Sequence, residues 1–391
     1  MPREGEETAR ILVDWTARQI HDPLVRLRFL RALAPPARNP RSGRKYPKLL
    51  GLALSVLLLA AIPASLRFLH AQDRPAPASD GPPPVRVTFT ETPKDLTETP
   101  TAVWPVEDKQ SFEIYSNGLR IENEFQVGNR PRSYRAFPLD HPEDSTGPIQ
   151  VDPVGIVFHT TESLQAPFEP EQTAVLKRVG ESLLEYVRRR QAYNFVIDRF
   201  GRVYRIVREG DAANHAGHSV WADESYLYVN LNDSFLGVSF EAQTALAAGE
   251  IRINPAQVRA ATMLTEMLRS RYRIAAGNCV THAQVSVNPA NMQVGYHTDW
   301  ASSFPFASLG LPDNYARPLP SLALFGFRYD SGFARRVGSR LAASAELGER
   351  QMNERAGAAH LSPEAYRRLL RSRYSRLAAA RKLAAAHAEG D

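Results

Sequence analysis

The sequence predicts an α/β fold in which a mixed central β-sheet is flanked by helices, with an N-terminal membrane anchor and a helical C-terminal extension. Three observations support this prediction. Short apolar runs alternate with amphipathic helical patterns from about residue 150 onward. An uncharged apolar stretch lies near the N-terminus, and an arginine- and alanine-rich tract lies at the C-terminal end. A chain of 391 residues with 43% hydrophobic content is long enough for one or two domains with buried cores.

The charge of the chain indicates an anionic environment. The formal net charge is +6, and many of the arginines cluster at the two ends. Phospholipid, nucleic acid and cell-wall polymer would all satisfy this charge, and composition does not distinguish among them. The single cysteine, Cys279, excludes an internal disulfide framework and is more typical of a small buried hydrophobic residue than of a metal ligand.

The apolar stretch predicts a membrane-spanning helix. Residues 49–66 contain no charge and are bordered by Lys48 and Arg67. As a helix they would be about 27 Å long, close to the thickness of a bilayer core. Because residues 1–48 are rich in arginine, the positive-inside rule places them in the cytoplasm and the rest of the chain outside. We therefore expect an uncleaved signal anchor over 49–67, with a cleaved signal peptide as the alternative.

The remaining boundaries follow from changes in composition. Prolines are frequent over 71–101, so this segment is expected to be an extended linker. Residues 102–150 have the pattern of short strands and turns, and we expect a small N-terminal subdomain or a flap. The main domain is expected over 151–330. Residues 331–391 are expected to form a helical extension whose basic face either is solvated or binds an anionic wall or membrane.

The strands of the main domain are predicted by apolar runs and by alternation. Residues 154–159 form a short apolar run, which predicts a buried strand, and residues 235–241 form another. Between them, residues 193–198 and 202–207 alternate in polarity on either side of a glycine-containing turn. This pattern predicts a β-hairpin.

The helices of the main domain are predicted by four-residue recurrence of apolar side chains. One such pattern covers about 171–190. A second covers 255–271, where Asn254 is expected to cap the helix and Pro255 to occupy its first position. Strands that alternate with helices in this way favour a sheet covered by helices.

Histidines and one aspartate are candidates for a metal site. His159 lies at the end of a predicted strand, His282 lies in the run THAQ, and Asp299 lies in YHTDW. Histidine and carboxylate are ligands that zinc prefers in hydrolases. Taken alone, each residue is more often a hydrogen-bonded structural residue, and no HExxH-type signature is present. Spacing alone therefore leaves the question open.

The order of motifs carries more information. IVFHTT, YNFVIDRFGRVYRI, NHAGHSVW, SFLGVSFE, THAQ and YHTDW follow one another over roughly 150–305. This order resembles the zinc-dependent N-acetylmuramoyl-L-alanine amidases, including the phage lysozyme-type enzymes, whose fold is shared with peptidoglycan recognition proteins. The resemblance implies a Zn²⁺ cofactor and a peptidoglycan (muropeptide) substrate, cleaved between N-acetylmuramic acid and L-alanine. It implies no nucleic-acid partner, and it agrees with a single-pass protein of a bacterial inner membrane whose catalytic domain is extracytoplasmic.

The resemblance also implies roles for individual residues. It makes His159, His282 and Asp299 the metal ligands, although His297 could replace Asp299. Tyr193 matches a tyrosine that hydrogen-bonds the reacting carbonyl or the attacking water. His297 occupies the position of a lysine in the family, and as an imidazolium it could stabilise an oxyanion.

One position departs from the family pattern. Many members carry a catalytic glutamate where this chain has Ser239, as the recognition proteins do. Glu241 lies two residues further along the same strand and therefore on the same face, so it is the candidate general base. The alternative is a strand-end carboxylate that points to solvent. His215, Ser239 and Asn194 are expected to line the substrate groove.

Three other functions remain open from the sequence. A peptidoglycan-binding protein of the same fold would use the same groove without turnover, and Ser239 and His297 favour it. A membrane-tethered scaffold would bind polyanions through Arg367, Arg368 and Arg371 and would need no metal. An amidase that acts on anhydro-muropeptides would differ only in the shape of its pocket. The oligomeric state is not predicted.

Overall fold

A mixed eight-stranded sheet forms the centre of the domain. The structure is a computed structural model, and it describes residues 101–142, 147–244 and 253–388. The strands in chain order are β1 Pro105–Asp108, β2 Phe112–Tyr115, β3 Arg120–Glu122, β4 Phe137–Pro138, β5 Gly155–Thr160, β6 Phe195–Ile197, β7 Val203–Arg205, β8 Val220–Ala222, β9 Tyr226–Val229, β10 Phe235–Phe240, β11 Cys279–Thr281, β12 Val287–Asn288 and β13 Gln293–Val294. The main sheet has the order β1-β2-β3-β7-β6-β10-β5-β11. The remaining strands form the small sheets β4-β9-β8 and β12-β13.

The directions of the central strands determine where side chains meet. Strands β6, β10, β5 and β11 run parallel, and β6 and β7 form the predicted hairpin. All six residues of β5 and of β10 are buried, as expected for central strands covered on both faces. Because β10, β5 and β11 are parallel neighbours, residues at their carboxyl ends leave the sheet at one edge. Ser239 of β10 lies opposite His159 of β5 in this register.

Helices cover the sheet and extend the domain. They are α1 Thr173–Arg190, α2 Pro255–Tyr272, α3 His282–Val285, α4 Pro320–Ala323, α5 Phe333–Val337, α6 Ser339–Ala358 and α7 Pro363–Ala388. The predicted helices over 171–190 and 255–271 are confirmed as α1 and α2. The Asn254 side chain accepts a hydrogen bond from the Gln257 N–H at 3.0 Å, and the Gln257 side chain caps in return. The predicted mixed α/β fold, a central sheet flanked by helices, is confirmed.

Several predicted segments fall outside this description. The basic segment 1–48, the anchor over 49–67 and almost all of the linker over 71–101 lie outside the described residues. Among the residues that are described, no helix has both the length and the apolar character needed to cross a bilayer.

The segment 102–150 joins the main sheet. Its strands β1, β2 and β3 continue the sheet beyond the hairpin, because β3 pairs in parallel with β7. Ile121 of β3 is fully buried in the same hydrophobic cluster as the central strands. Strand β4 pairs instead with β9. Strands β1 to β3, predicted to form a subdomain or flap, are therefore one edge of the main sheet. Strand β11, next to the predicted ligands, is the opposite edge.

A buried ionic cluster holds this edge to the hairpin. The Arg205 side chain bonds Glu113 of β2 at 2.5 Å and Glu209 at 2.9 Å. Burial alone would raise the pKa of Glu113, but hydrogen bonds from Arg205, Tyr115 and Asn123 outweigh it and lower the pKa from 4.5 to about 2. The ionised form of Glu113 is therefore the one that the folded state favours.

Acid is expected to weaken the fold through this cluster. A carboxylate whose folded pKa is depressed stabilises the protein above its unfolded pKa, and this contribution is lost as pH falls from 4.5 toward 2. Thermal unfolding followed from pH 7 to pH 2 should therefore show a smaller loss of Tm for Glu113→Gln than for the wild-type chain. Parallel Tm curves for the two proteins would contradict this assignment.

The C-terminal extension packs on the domain. Leu341 and Ala345 of α6 and Tyr374 and Leu377 of α7 are buried in the cluster that also contains the sheet residues. The Tyr374 ring meets the Phe327 ring edge-on, with centroids 5.0 Å apart. These contacts make α6 and α7 part of the same hydrophobic core as the sheet.

The arginines of α7 are only partly available to a polyanion. Arg367 is buried, and its guanidinium donates to the Phe327 carbonyl at 2.7 Å and bonds Glu349. Arg371 donates to the Gly326 carbonyl at 3.1 Å. Of the three arginines on which the scaffold hypothesis depends, only Arg368 is exposed and free of such a contact to the domain. The structure thus weakens that hypothesis.

Candidate metal centre

Three acid–base side chains meet at the carboxyl edge of the sheet. His159 is the penultimate residue of β5, His282 begins α3 directly after β11, and Asp299 lies in the loop after β13. The two Asp299 oxygens face the two rings, at 3.3 Å from His159 Nδ1 and 2.9 Å from His282 Nδ1. One ligand atom from each residue lies within 4.8 Å of the others. All three side chains are buried or nearly so.

Neighbouring elements hold this group in place. The parallel strands β5 and β11 deliver His159 and His282 side by side, and a capping box between Thr281 and Gln284 fixes the start of α3. The Asp299 carbonyl accepts a hydrogen bond from the Ala283 N–H at 3.3 Å. Trp300, which follows Asp299, is fully buried and adopts a left-handed φ of 59°. The loop that carries Asp299 is therefore anchored on both sides of the carboxylate.

The electrostatics of the group suit a cation. Burial opposes ionisation of Asp299, but the charge of the neighbouring His282 and the close approach of both imidazoles hold the pKa of Asp299 far below its ordinary value. Burial, followed by the charge of His282, lowers the pKa of His159 to about 4, so His159 is neutral at pH 7. His282 Nε2 is buried, and no atom in the described part of the chain hydrogen-bonds it. A carboxylate with two imidazoles is the donor set of a catalytic zinc, and these residues fit such an ion.

Asp299 and His297, the two candidates for a third ligand, lie in different positions relative to His159 and His282. Asp299 belongs to the convergent group, whereas the His297 ring stacks on the His282 ring with centroids 4.6 Å apart. Burial and the charge of His282 lower the pKa of His297, so its imidazole is predominantly neutral at pH 7. At pH 7, His297 therefore does not carry the positive charge that its family position suggests.

Tyr193 reaches the same edge from the hairpin. Its ring centroid is 5.1 Å from that of His159, and the side chain is half-buried. Its backbone has a left-handed φ of 63°, a conformation that costs energy in a residue other than glycine. Burial, reinforced by the charge of Asp299, raises the pKa of Tyr193 above its ordinary value of 10. The hydroxyl therefore stays protonated and is available to donate a hydrogen bond.

Glu241, the predicted general base, contacts the hairpin turn. It follows β10 and is buried, and its carboxylate accepts a hydrogen bond from the Arg199 N–H at 3.1 Å. Burial raises the pKa of Glu241, and the other groups that act on it are Asp198, Arg199 and Arg202 of the hairpin turn. Strand β10 ends at Phe240, so strand alternation does not determine the direction of the Glu241 side chain. The Glu241 carboxylate therefore stabilises the turn between β6 and β7 through its hydrogen bond with the Arg199 N–H.

Two residues expected in the substrate groove are internal. Asn194 is fully buried; its side-chain oxygen accepts from the Gly237 N–H at 2.9 Å, and its amide donates to the Val207 carbonyl at 3.2 Å. Ser239 is also fully buried, and its hydroxyl has no hydrogen-bond partner among the described residues. The resemblance names these two residues but carries no information on the burial of their side chains.

His215, predicted to line the substrate groove, is half-buried and contacts His159. Its Nδ1 lies 3.1 Å from His159 Nε2, and its Nε2 lies 3.3 Å from the Phe235 carbonyl oxygen. Both ring nitrogens thus have partners within the protein. His218, three residues later, is exposed.

A cleft opens beside Tyr193. It has a volume of about 520 Å³, a size typical of ligand pockets. Its walls come from the C-terminal end of α1, from the residues before the hairpin and from the strand end after β5, and they include Thr161, Tyr186, Arg189, Arg190, Tyr193 and Asn214. The α1 residues of this cleft were not predicted as site residues. The three consecutive arginines at the end of α1 were the available signal.

Comparison with known proteins identifies the segment that carries the site. Residues 150–299 match the family described as N-acetylmuramoyl-L-alanine amidase. This segment is an amidase domain of that family. It contains all three convergent residues, and the family predicted from the order of motifs is confirmed. Comparison with curated protein sequences found no match.

Solved structures are similar over part of this chain. AmpDh3 from Pseudomonas aeruginosa, in complex with anhydromuramic pentapeptide, is 21% identical over 40% of this chain and 58% of its own, with a TM-score of 0.30. The N-acetylmuramyl-L-alanine amidase AmiD from E. coli is 20% identical over 51% of this chain and 65% of its own, with a TM-score of 0.31. Peptidoglycan recognition protein SD from Drosophila is 16% identical over 40% and 79%, with a TM-score of 0.25. The match spans less than two thirds of the first two proteins.

Proposed function

We propose that this chain is a zinc-dependent hydrolase that cleaves the amide between the lactyl group of N-acetylmuramic acid and L-alanine in peptidoglycan. The observation that carries the proposal is the convergence of His159, His282 and Asp299 within the segment that matches the amidase family. The family match of this segment indicates amide hydrolysis. A metal ion held by the three side chains would activate the carbonyl and the attacking water.

The residues around the donor set have separate tasks in this proposal. Zinc held by His159, His282 and Asp299 would supply a Lewis acid for the scissile carbonyl and lower the pKa of water. Tyr193 keeps its proton and donates a hydrogen bond to the oxygen on which negative charge develops. His297, stacked on His282 at the exposed side of the group, is placed to exchange a proton with the departing amine.

The cleft beside Tyr193 supports a peptide substrate. A stem peptide carries free carboxylates, and Arg189 and Arg190 line the cleft at the end of α1. Guanidinium groups recognise carboxylates well because they can donate two parallel hydrogen bonds. The stem peptide would then lie along α1, with its L-alanine end at Tyr193.

A second candidate function is a peptidoglycan-binding protein without turnover. The observation that favours it is the position of Glu241, whose carboxylate bonds the hairpin turn, together with Ser239 at the place of the family glutamate. Such a protein would keep the cleft and the donor set and would lack a strong general base.

Digestion of purified sacculi distinguishes the two functions. The full chain in detergent, with its zinc content measured, is incubated with sacculi, and the soluble products are identified by mass spectrometry. Free stem peptides that begin with L-alanine, at about one zinc per chain, are expected of the amidase. Sacculus binding with bound zinc and no released peptide would favour the binding protein.

Removal of the Tyr193 hydroxyl is expected to slow hydrolysis selectively. Tyr193→Phe should lower kcat about 100-fold, the usual effect of removing one donor to a developing oxyanion, and should leave the zinc content unchanged. Tyr226→Phe, which changes an exposed tyrosine that does not line the cleft, is the matched control and should retain kcat. An unchanged kcat in Tyr193→Phe would exclude this role.

We also propose that the segment 49–67 anchors the chain in a bacterial inner membrane with the amidase domain outside, where peptidoglycan lies. The uncharged sequence of this segment and the arginine-rich residues before it support this topology. Protease added to intact spheroplasts should degrade the amidase domain, and the chain should fractionate with membranes. A protease-protected chain in the soluble fraction would contradict the proposal.

A further inference from the structure

A chain of ring nitrogens leads from the candidate metal centre into the protein. His159 presents Nδ1 to Asp299 at 3.3 Å and Nε2 to His215 Nδ1 at 3.1 Å. His215 in turn presents Nε2 to the Phe235 carbonyl oxygen at 3.3 Å. The two rings are nearly perpendicular, with centroids 5.2 Å apart. His215 thus connects His159 to a backbone atom of β10.

The hydrogen-bond pattern assigns the position of each proton. A carbonyl oxygen can only accept, so the proton of His215 resides on Nε2. The buried guanidinium of Arg132 also donates to the Phe235 carbonyl, at 3.1 Å, so this oxygen is held in place as an acceptor. With its proton on Nε2, His215 presents a bare Nδ1, which accepts from Nε2–H of His159. The Nδ1 of His159 is left with a lone pair directed at Asp299.

Gly237 provides the space for this arrangement. A Cβ atom at Gly237 would lie 2.6 Å from His215 Cγ and 2.9 Å from His215 Cβ, distances that real Cβ atoms essentially never show. The buried Asn194 fixes the strand here by accepting from the Gly237 N–H at 2.9 Å. The absence of a side chain at Gly237 allows the His215 ring to lie against β10 and still reach His159.

We propose that His215 is a positioning residue that fixes the tautomer and orientation of His159 so that Nδ1 is available to the metal, and that Gly237 seats its ring. This inference rests on the metal site of the proposed function and deepens it. With protons placed in this way, His159 Nδ1 and an Asp299 oxygen are two acceptors that face each other, and a cation between them removes their repulsion. Partners of this kind typically change metal affinity 10- to 100-fold.

Four variants test the proposal through zinc affinity, measured by competition with a chelator. His215→Leu removes the acceptor and should weaken zinc binding about 10- to 100-fold. His215→Asn returns an acceptor oxygen near the position of Nδ1 and should recover much of the loss. Gly237→Ala keeps both ring nitrogens but displaces the ring, and it should resemble His215→Leu. His218→Leu, an exposed histidine of the same loop, is the matched control and should bind zinc as the wild-type chain does.

Two further measurements separate positioning from general damage. Thermal unfolding of the metal-free proteins shows whether each variant retains the fold. Nitrogen NMR shifts of the His159 ring report its tautomer directly, and the expected form carries the proton on Nε2. A His159 ring protonated on Nδ1 in the zinc-loaded protein would overturn the proposal.

The affinity series has its own contradicting outcomes. Zinc binding by His215→Leu equal to that of the wild-type chain, or an equal loss in His218→Leu, would overturn the positioning role. A wild-type chain that binds no zinc would instead refute the metal site on which the proposed function rests. The two failures are therefore distinguishable.

Discussion

Replacement of Asp299 by alanine is expected to abolish stoichiometric zinc binding and to lower kcat/KM about 1,000-fold or more. Asp299 contributes the only negative charge of the three convergent side chains, and its oxygens lie 3.3 Å and 2.9 Å from the two imidazoles. Metal activation of a carbonyl and a water is worth several kcal/mol in the transition state, which corresponds to about three orders of magnitude in rate. Zinc content and the rate of muropeptide cleavage, measured on the same preparation, check this result.

The matched control is Asp330→Ala. Asp330 is an exposed aspartate that pairs with Arg336 at 3.1 Å, so its removal should change neither zinc content nor rate. If Asp299→Ala retained one zinc and near wild-type activity, His297 would become the candidate third ligand, and the assignment made from the geometry would be wrong.

Replacement of Phe304 by alanine is expected to destabilise the fold by about 3–5 kcal/mol, the usual effect of deleting a buried aromatic side chain. Phe304 is fully buried, and its ring stacks on Phe158 of β5 with centroids 4.4 Å apart. It also meets the Trp300 ring edge-on at 5.1 Å. Because Phe158 precedes His159 and Trp300 follows Asp299, the cavity would lie directly behind two of the proposed ligands.

Chemical denaturation measures this loss, and zinc affinity should fall with it. Phe168→Ala is the control, since Phe168 is 47% exposed and its truncation should cost less than about 1 kcal/mol. A Phe304→Ala protein with wild-type stability would mean that the aromatic cluster does not support the site as described.

Local patterns in the sequence predicted most elements of the central fold. Helix α2 begins at the predicted proline because Asn254 and Gln257 cap each other, a local interaction that sequence spacing reveals. The hairpin of β6 and β7 follows likewise from alternation around Gly201, whose positive φ of 77° suits the turn. The sequence did not assign strands β1 to β3 to the main sheet. They join it through β3, whose partner β7 lies some 80 residues further along the chain, and no local pattern encodes that pairing.

The sequence likewise predicted some features of the candidate site and not others. His159, His282 and Asp299 were found because the order of motifs specified them, and the parallel strands bring them together. Glu241, Asn194 and His215 have hydrogen-bond partners within the protein that the sequence did not predict. Strand alternation specifies the face of a side chain, whereas its exposure and hydrogen-bond partners depend on neighbouring strands and loops that only the folded chain brings close.

Hydrolysis of a defined muropeptide in ¹⁸O-labelled water tests the central claim most directly. Cleavage between N-acetylmuramic acid and L-alanine places the label in the lactyl carboxylate of the muramic acid and leaves an unlabelled peptide with a free L-alanine amine. The account predicts this product pair from the zinc-loaded chain and neither product from Asp299→Ala. Label in the carboxylate of alanine, which marks cleavage of the following peptide bond, or equal cleavage by Asp299→Ala would contradict it.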